Sequence, residues 1–151
     1  MDGNDRFHTS FVYGSNVDSS RRARWHSICS NQQDTPWMVL GDFNVSRRVN
    51  ESVGGSSRIS SAMEEFNDCL YVFELDKLRF SGFLNTWCNK ISIGCISKKL
   101  GRVLVNKEWM AKFEHSEAIF FLLASRITAP LWLSSDCKVI RRIALLKFSI
   151  F

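Results

Sequence analysis

The sequence predicts an α/β layered domain, and three observations carry that expectation. Strand-like runs alternate with segments of helical periodicity. One run, Trp37-Met38-Val39-Leu40, is continuously apolar over the length of a strand buried on both faces. The composition is that of a globular chain: 45% of the 151 residues are hydrophobic and 23% charged, which excludes a collagenous, low-complexity or wholly disordered protein. This length fits one packed domain better than two.

Each element follows from local signals. From His8 the order His-Thr-Ser-Phe-Val-Tyr sets β-branched and aromatic residues ahead of Gly14-Ser15-Asn16, a strand followed by a stop. Asp18 or Ser19 is placed to cap a helix in which Trp25, Ile28 and Cys29 share one face, while Arg21, Arg22 and Arg24 lie largely on others. Pro36 forbids helix continuation, and the strand at Trp37 to Leu40 is expected to end at Gly41. Residues 46 to 60, polar and containing Gly54-Gly55-Ser56-Ser57, read as an exposed loop. Ser61-Ala62-Met63-Glu64 matches a capping box, and Met63, Phe66 and Leu70 extend it into a helix to about Tyr71. Short strands are expected at Arg79 to Phe83 and Thr86 to Asn89, with a hairpin turn at Ile93-Gly94. Leu100 to Val105 reads as a strand, Asn106 as the cap of a short helix carrying Trp109, Met110 and Phe113, and Ala118 to Leu123 as another buried strand before Pro130. No internal repeat of about 20 to 50 residues appears.

Composition also narrows the functional classes. The net charge of +5 is mildly basic, and the five cysteines (Cys29, Cys69, Cys88, Cys95, Cys137) form no C-x-x-C pair, so neither a disulfide framework nor a zinc knuckle is signalled. Small buried thiols in a reducing compartment are the expectation. The polar start MDGNDRFHTS lacks the order of a secretory signal, and the longest apolar run, Ala118 to Ala124, falls far short of the ~18 residues of a membrane span. These readings predict a soluble intracellular protein, in nucleus or cytoplasm, with no membrane partner.

A strand running into Gly41-Asp42-Phe43-Asn44 puts a carboxylate and a carboxamide just past its carboxyl end, where α/β sheets place their ligand sites. Oxygen ligands of this kind suit a hard cation or a phosphate. The same residues equally suit a strand-end Asx turn that satisfies local backbone groups.

Read in order, Tyr13-Gly14-Ser15-Asn16, Arg22-Ala23-Arg24-Trp25 and Trp37 through Asn44 resemble the endonuclease/exonuclease/phosphatase superfamily, the deoxyribonuclease-I-like fold. The nearest likeness is to the endonuclease domain of LINE-type non-LTR retrotransposons. Ala62-Met63-Glu64-Glu65-Phe66-Asn67-Asp68-Cys69-Leu70, Leu78 to Phe83, Thr86-Trp87-Cys88-Asn89-Lys90 and Leu104-Val105-Asn106-Lys107-Glu108-Trp109 carry it further. The resemblance implies the later portion of a four-layer α/β sandwich over residues 1–134, one mixed sheet with helices, and a tail at 135–151 similar to the linker towards reverse transcriptase. It also implies Mg-dependent hydrolysis of DNA. Tyr13 would contact the scissile phosphate, Asp42 would orient or deprotonate the attacking water, and Asn44 would donate to a phosphoryl oxygen, with Asn16 a weaker phosphate contact. In-line attack needs such an activated water and such donors where charge grows.

Departures from the family pattern predict an inactive chain. Where the family has Leu-Asp-Arg this sequence reads Leu100-Gly101-Arg102. Where it has Ser-Asp-His and a following Pro, this sequence reads Arg126-Ile127-Thr128-Ala129-Pro130. The His and two Asp are thus replaced, and neither Ile127 nor Thr128 titrates near neutrality. The family's metal-binding Glu and an Asn are expected in a segment ahead of Phe7 that finds no match here. Magnesium, the cofactor the resemblance implies, would be poorly anchored by Asp42, so no metal ligand set is assigned.

Basic residues gather at Arg21-Arg22-Arg24, Arg47-Arg48, Lys98-Lys99-Arg102 and Arg141-Arg142. Nuclease ancestry suggests phosphate contacts for Arg47, Arg48, Lys98 and Lys99, and DNA as a weak partner; a solvated surface with interspersed acids such as Glu51 is the plainer reading. Three functional readings follow: a decayed nuclease, a non-hydrolysing nucleic-acid binder, and a nuclease complemented by a missing half. An open apolar face near Val12, Val39 and Phe121 is expected to drive self-association.

Overall fold

The computed structural model describes residues 6–15, 17–30, 34–55, 58–89, 91, 93–120 and 131–134. Along the chain these form β1 (His8–Tyr13), α1 (Asp18–Cys29), β2 (Trp37–Asp42), a 3-10 turn (Val49–Glu51), β3 (Ser52–Val53), α2 (Ser61–Val72) and β4 (Asp76–Lys77). There follow β5 (Phe80–Gly82), β6 (Trp87–Cys88), β7 (Ser97–Lys98), β8 (Gly101–Val105), α3 (Lys107–Lys112), β9 (Glu117–Phe120) and β10 (Leu131–Ser134). The α/β class expected from the sequence is the class observed.

Among the described residues the expected single mixed sheet is replaced by three. The principal sheet has the order β1-β2-β8-β4, with β1 parallel to β2 and β8 antiparallel to both β2 and β4. Strands β10-β9-β5 make a second sheet and β3-β7-β6 a third. The first five residues of β2 are buried, as a central strand sandwiched between two apolar layers requires. Contrary to expectation, β2 does not stop at Gly41 but continues through it to Asp42.

Two apolar clusters lie on opposite faces of this sheet. Val39, Trp37, Leu104 and Val12 point to one face, where Trp25 of α1 and Phe66 and Leu70 of α2 cover them. Met38, Leu40, Val103 and Val105 point to the other and meet Trp109 of α3, Ala118 and Phe120 of β9, and Leu78. The open apolar face expected near Val12 and Val39 is therefore absent: they are 3% and 0% exposed, because the two helices bury them. Phe121 lies outside the described residues. Among the described residues no helix is long and apolar enough to cross a membrane.

Caps and turns differ in detail from the sequence reading. The cap of α1 is Val17, without a side-chain cap bond, in place of Asp18 or Ser19. Arg21 on α1 is buried, with its guanidinium 5.6 Å from the Trp25 ring. For α2 the cap is Ser60, one residue early, whose hydroxyl accepts from the Met63 N–H. Residues 46 to 60 are not simply an exposed loop, since Ser46 is buried and Val49–Val53 holds the 3-10 turn and β3. Met110 is exposed while Trp109 is fully buried, because a six-residue helix turns one narrow face to the core.

Asn106 is the polar joint of the fold. Its Oδ1 accepts from the backbone N–H of Trp109 (3.0 Å), capping α3, and from that of Trp37 (2.9 Å), holding the start of β2. Its Nδ2 donates to the Thr35 carbonyl at 2.8 Å. Asn106→Ala removes a helix cap and orphans a buried N–H, so it is expected to cost about 2–3 kcal/mol in urea unfolding, with Asn106→Asp retaining more than half of that.

Candidate functional site

Strand register alone assembles the first part of the site. Tyr13 at the end of β1 is the Cα partner of Asp42 at the end of β2, and Asp42 is in turn the partner of Gly101 at the start of β8. Residues in direct register share a face. Positions 13, 42 and 101 therefore form one row across three strands, on the face that carries Leu40 and Val103.

Two of the three, Tyr13 and Asp42, line a pocket of about 430 Å³ together with Asn44, Lys98, Ser60, Trp87 and Leu100, the neighbour of Gly101, among others. Tyr13 is 55% exposed, and the guanidinium of Arg24 on α1 donates to its backbone carbonyl at 2.7 Å, tying the end of β1 to the helix that follows. Asp42 is partly buried, and burial pushes its carboxyl above the usual aspartate value while the Asn44 N–H pulls the other way. That N–H donates to Asp42 Oδ1 at 2.8 Å, and Asn44 sits at φ 53°, in the left-handed region that asparagine tolerates. The Asx turn that the sequence offered as the alternative is thus present, in the wall of a pocket.

Gly101 has its own anchor. The Thr86 hydroxyl accepts from the backbone N–H groups of Leu100 (3.0 Å) and Gly101 (2.7 Å), locking the entry to β8 beside the pocket. A Cβ at position 101 would meet Thr86 Oγ1 at 3.3 Å, close but relievable by a small side-chain shift. An acidic side chain at position 101 would stand beside Asp42.

A magnesium ion does not fit the donors that line this pocket. Asp42 is the one carboxylate among them, its Oδ1 already accepts from the Asn44 N–H, and Lys98 brings a competing positive charge. Magnesium takes near-octahedral oxygen coordination anchored by one or two carboxylates. No group of three or more His, Cys, Asp or Glu suited to a metal occurs among the described residues.

The other candidate residues lie elsewhere. Asn16 is outside the described residues, as are Ile127, Thr128 and the 135–151 tail. Arg47, Arg48 and Lys99 are not brought to the Asp42 pocket; they line a second cavity of about 160 Å³. Arg47 bonds through Nε to Asn67 Oδ1 on α2 (2.8 Å) and pairs with Asp76 (3.2 Å), while Arg48 stands exposed. Lys99 is only 5% exposed, with its Nζ 3.4 Å from the centre of the Phe80 ring.

Glu51 is the residue that the sequence reading placed on the surface and the structure places at a hub. Its carboxylate receives both terminal nitrogens of Arg102, at 2.9 and 2.6 Å, and Oε2 also accepts from the backbone N–H groups of Arg47 (2.6 Å) and Arg48 (3.2 Å). No short-range spacing announces a partner 51 residues away in sequence. Compared with known protein families and with curated proteins, the chain matches none.

Proposed function

We propose that this chain is a degenerate endonuclease domain of the LINE retrotransposon kind that keeps a phosphate-binding pocket and has lost hydrolysis. The single observation that carries the reading is the Tyr13–Asp42 pair lining one pocket with Asn44 and Lys98, with position 101 next to Asp42 in strand register. Two sheets meeting through Met38, Leu40, Val103 and Val105 against Ala118 and Phe120, with helices outside the first, support the later portion of a four-layer sandwich.

The chemistry follows from what stands in the pocket. A phosphodiester there would meet the Lys98 ammonium, the Tyr13 phenol and the Asn44 amide, all capable of donating to a phosphate oxygen. Asp42, raised by burial, could accept a proton from water but has no imidazole or second acid in the described pocket to complete acid–base transfer. Glycine at 101 supplies no carboxylate where the row would offer one. Binding with little or no turnover is the outcome, with DNA as the ligand class and no step assigned to magnesium.

A supercoiled-plasmid nicking assay with magnesium, run beside a salt titration of DNA binding, tests this. No nicking above the Asp42→Ala control is expected, and the double revertant Gly101→Asp with Thr128→His is expected to stay inactive. Binding should be weak and salt-sensitive, and Lys98→Gln should reduce the magnitude of the log–log salt slope by about 1, the share of one neutralised phosphate. Magnesium-dependent nicking lost in Asp42→Ala would overturn the inactive reading; a slope unmoved by Lys98→Gln would remove Lys98 from the phosphate site.

A further inference from the structure

The second cavity joins an apolar interior to an excess of positive charge. Leu78 and Phe120, both buried, line it together with the half-buried Phe80, while the exposed Leu84, Arg48, Asn50 and Lys77 bring its lining out to solvent. Five cations face it, Arg47, Arg48, Lys77, Lys99 and Arg102, against the single carboxylate of Glu51. Arg102 is neutralised by Glu51, and Arg47 pairs with Asp76. Arg48 and Lys77 form no ion pair among the described residues.

Lys99 adds its charge from behind the lining. Its Nζ is buried, has no hydrogen-bond partner among the described residues, and stands 3.4 Å from the centre of the Phe80 ring and 4.5 Å from that of Phe120. No ligand atom touches it there. The rings attract an ammonium without neutralising it, so its field reaches the cavity, where a low dielectric strengthens it. The one nearby carboxylate, Glu51, is already held by Arg102 and two backbone N–H groups.

Size and charge together select a ligand. The cavity measures about 160 Å³, and a cavity of about 150 Å³ lined by Leu, Ile and Phe holds one benzene ring. We propose that this cavity is a non-covalent binding site for a small aromatic monocarboxylate, its ring among Leu78, Leu84 and Phe120 and its carboxylate at the mouth, facing Arg48, Lys77 and the Asn50 amide. A neutral ring would bury apolar surface and leave the cations without a counter-charge. A bare acetate would answer the charge and leave the apolar lining unfilled. The cavity shares no lining residue with the Asp42 pocket, so the two sites stand or fall separately.

Electrostatics support the geometry. Burial first, then Arg102, lower the Lys99 ammonium from 10.5 to about 8; Glu51 opposes them and Lys77 adds a smaller push in the same direction. Arg47 and Arg48 are the other charged groups lining the cavity. A bound carboxylate supplies the counter-charge that this cluster lacks and favours the protonated lysine. By linkage, affinity for the anion falls as pH rises through about 8.

The test is a titration of the unmodified chain at low ionic strength, followed by backbone amide NMR, with benzoate, benzyl alcohol and acetate as probes. Benzoate is expected to saturate one site with a Kd of about 1 mM or tighter. Benzyl alcohol, a ring without the charge, and acetate, the charge without a ring, should bind at least about tenfold more weakly. Shifts should centre on Arg48, Asn50, Lys77 and Leu84, and benzoate affinity should drop between pH 7 and pH 9. The combined Arg48→Gln and Lys77→Gln variant, changed only at exposed side chains, should weaken benzoate about tenfold and leave benzyl alcohol as it was, whereas Lys98→Gln should change neither. Equal affinity for benzoate and benzyl alcohol would overturn the selectivity for an anion. Shifts centred on Asn44 and Lys98, or a flat profile from pH 7 to pH 9, would overturn the seat over Phe80 and Phe120. The decisive comparisons are made within the wild-type chain and do not depend on any variant folding.

Discussion

Gly41→Ala is expected to cost at least about 4–5 kcal/mol, enough to remove most or all of the stability of a domain of this size. Gly41 lies inside β2 at φ +146°, a conformation that L side chains rarely adopt, and a Cβ there would overlap the Val12 carbonyl oxygen of β1. The backbone carbon and nitrogen of Val12 would stand only 2.8 and 2.9 Å away. Strained φ alone costs about 1–3 kcal/mol. The clash adds more, since backbone cannot swing aside as a side chain would: β1 must part from β2 and lose ladder bonds along a six-residue register. Gly101→Ala provides the contrast. Its φ is not in the left-handed region and its neighbours are Thr86 side-chain atoms at 3.3–3.5 Å, so a change within about 1 kcal/mol is expected. Urea unfolding of the two variants gives the comparison. A Gly41→Ala protein with wild-type midpoint would mean that β1 and β2 are not held at the spacing described. The candidate site is linked to this glycine because the residue after it is Asp42, and the approach of β1 sets Tyr13 next to Asp42 in register.

What the sequence makes legible divides along local and non-local lines. The core strand β2 is plain from Trp37 to Leu40, since a continuous apolar run needs no partner to be recognised. Helix α2 shows itself through Met63, Phe66 and Leu70, and α3 through Asn106, whose side chain does cap it. The two-residue strands β3, β4 and β7 are invisible, because Ser52-Val53, Asp76-Lys77 and Ser97-Lys98 have no pattern long enough to alternate and exist only by pairing. Gly41 was legible as a breaker and misread as an end, for a glycine inside a strand also marks close backbone approach.

The candidate site divides the same way. Asp42 and Asn44 are readable as a strand-end pair, and motif order suggests Tyr13 as their neighbour, which the β1–β2 register makes concrete. The separation of Lys98 from Lys99 is not readable from a basic run. On adjacent residues their side chains diverge, Lys98 to the Asp42 pocket and Lys99 into the cavity over Phe80. Val12 and Val39 looked exposed only while the helices that cover them had no position; once Trp25 and Phe66 pack over the sheet, that face is interior.

Glu51→Ala is expected to destabilise the chain by about 3–5 kcal/mol, the range for stranding one member of a buried ion pair. Arg102 is 6% exposed and Glu51 15%, and their contacts are short and two-pronged. Without the carboxylate, Arg102 keeps bonds to the Val45 and Lys99 carbonyls but carries an uncompensated charge beside Lys99. The backbone N–H groups of Arg47 and Arg48 lose their acceptor in the same step. Arg102→Met should cost a similar amount, by stranding the carboxylate and orphaning two carbonyls. The double variant should fall short of the sum by about 2 kcal/mol or more, since the second change removes a charge that the first left unpaired. The pH dependence has a definite sign. Burial alone would raise the Glu51 carboxyl, but Arg102 and the two N–H groups outweigh it and hold it below its ordinary 4.5. The folded form thus binds its proton less readily than the unfolded one, so the stabilisation is complete above about 4.5 and is lost as pH falls through the depressed value. Urea midpoints measured from pH 7 down to pH 3 should therefore decline in the wild type, with a shallower decline in Glu51→Ala. Parallel declines in the two proteins would mean that Glu51 is not ionised against Arg102 in the folded chain.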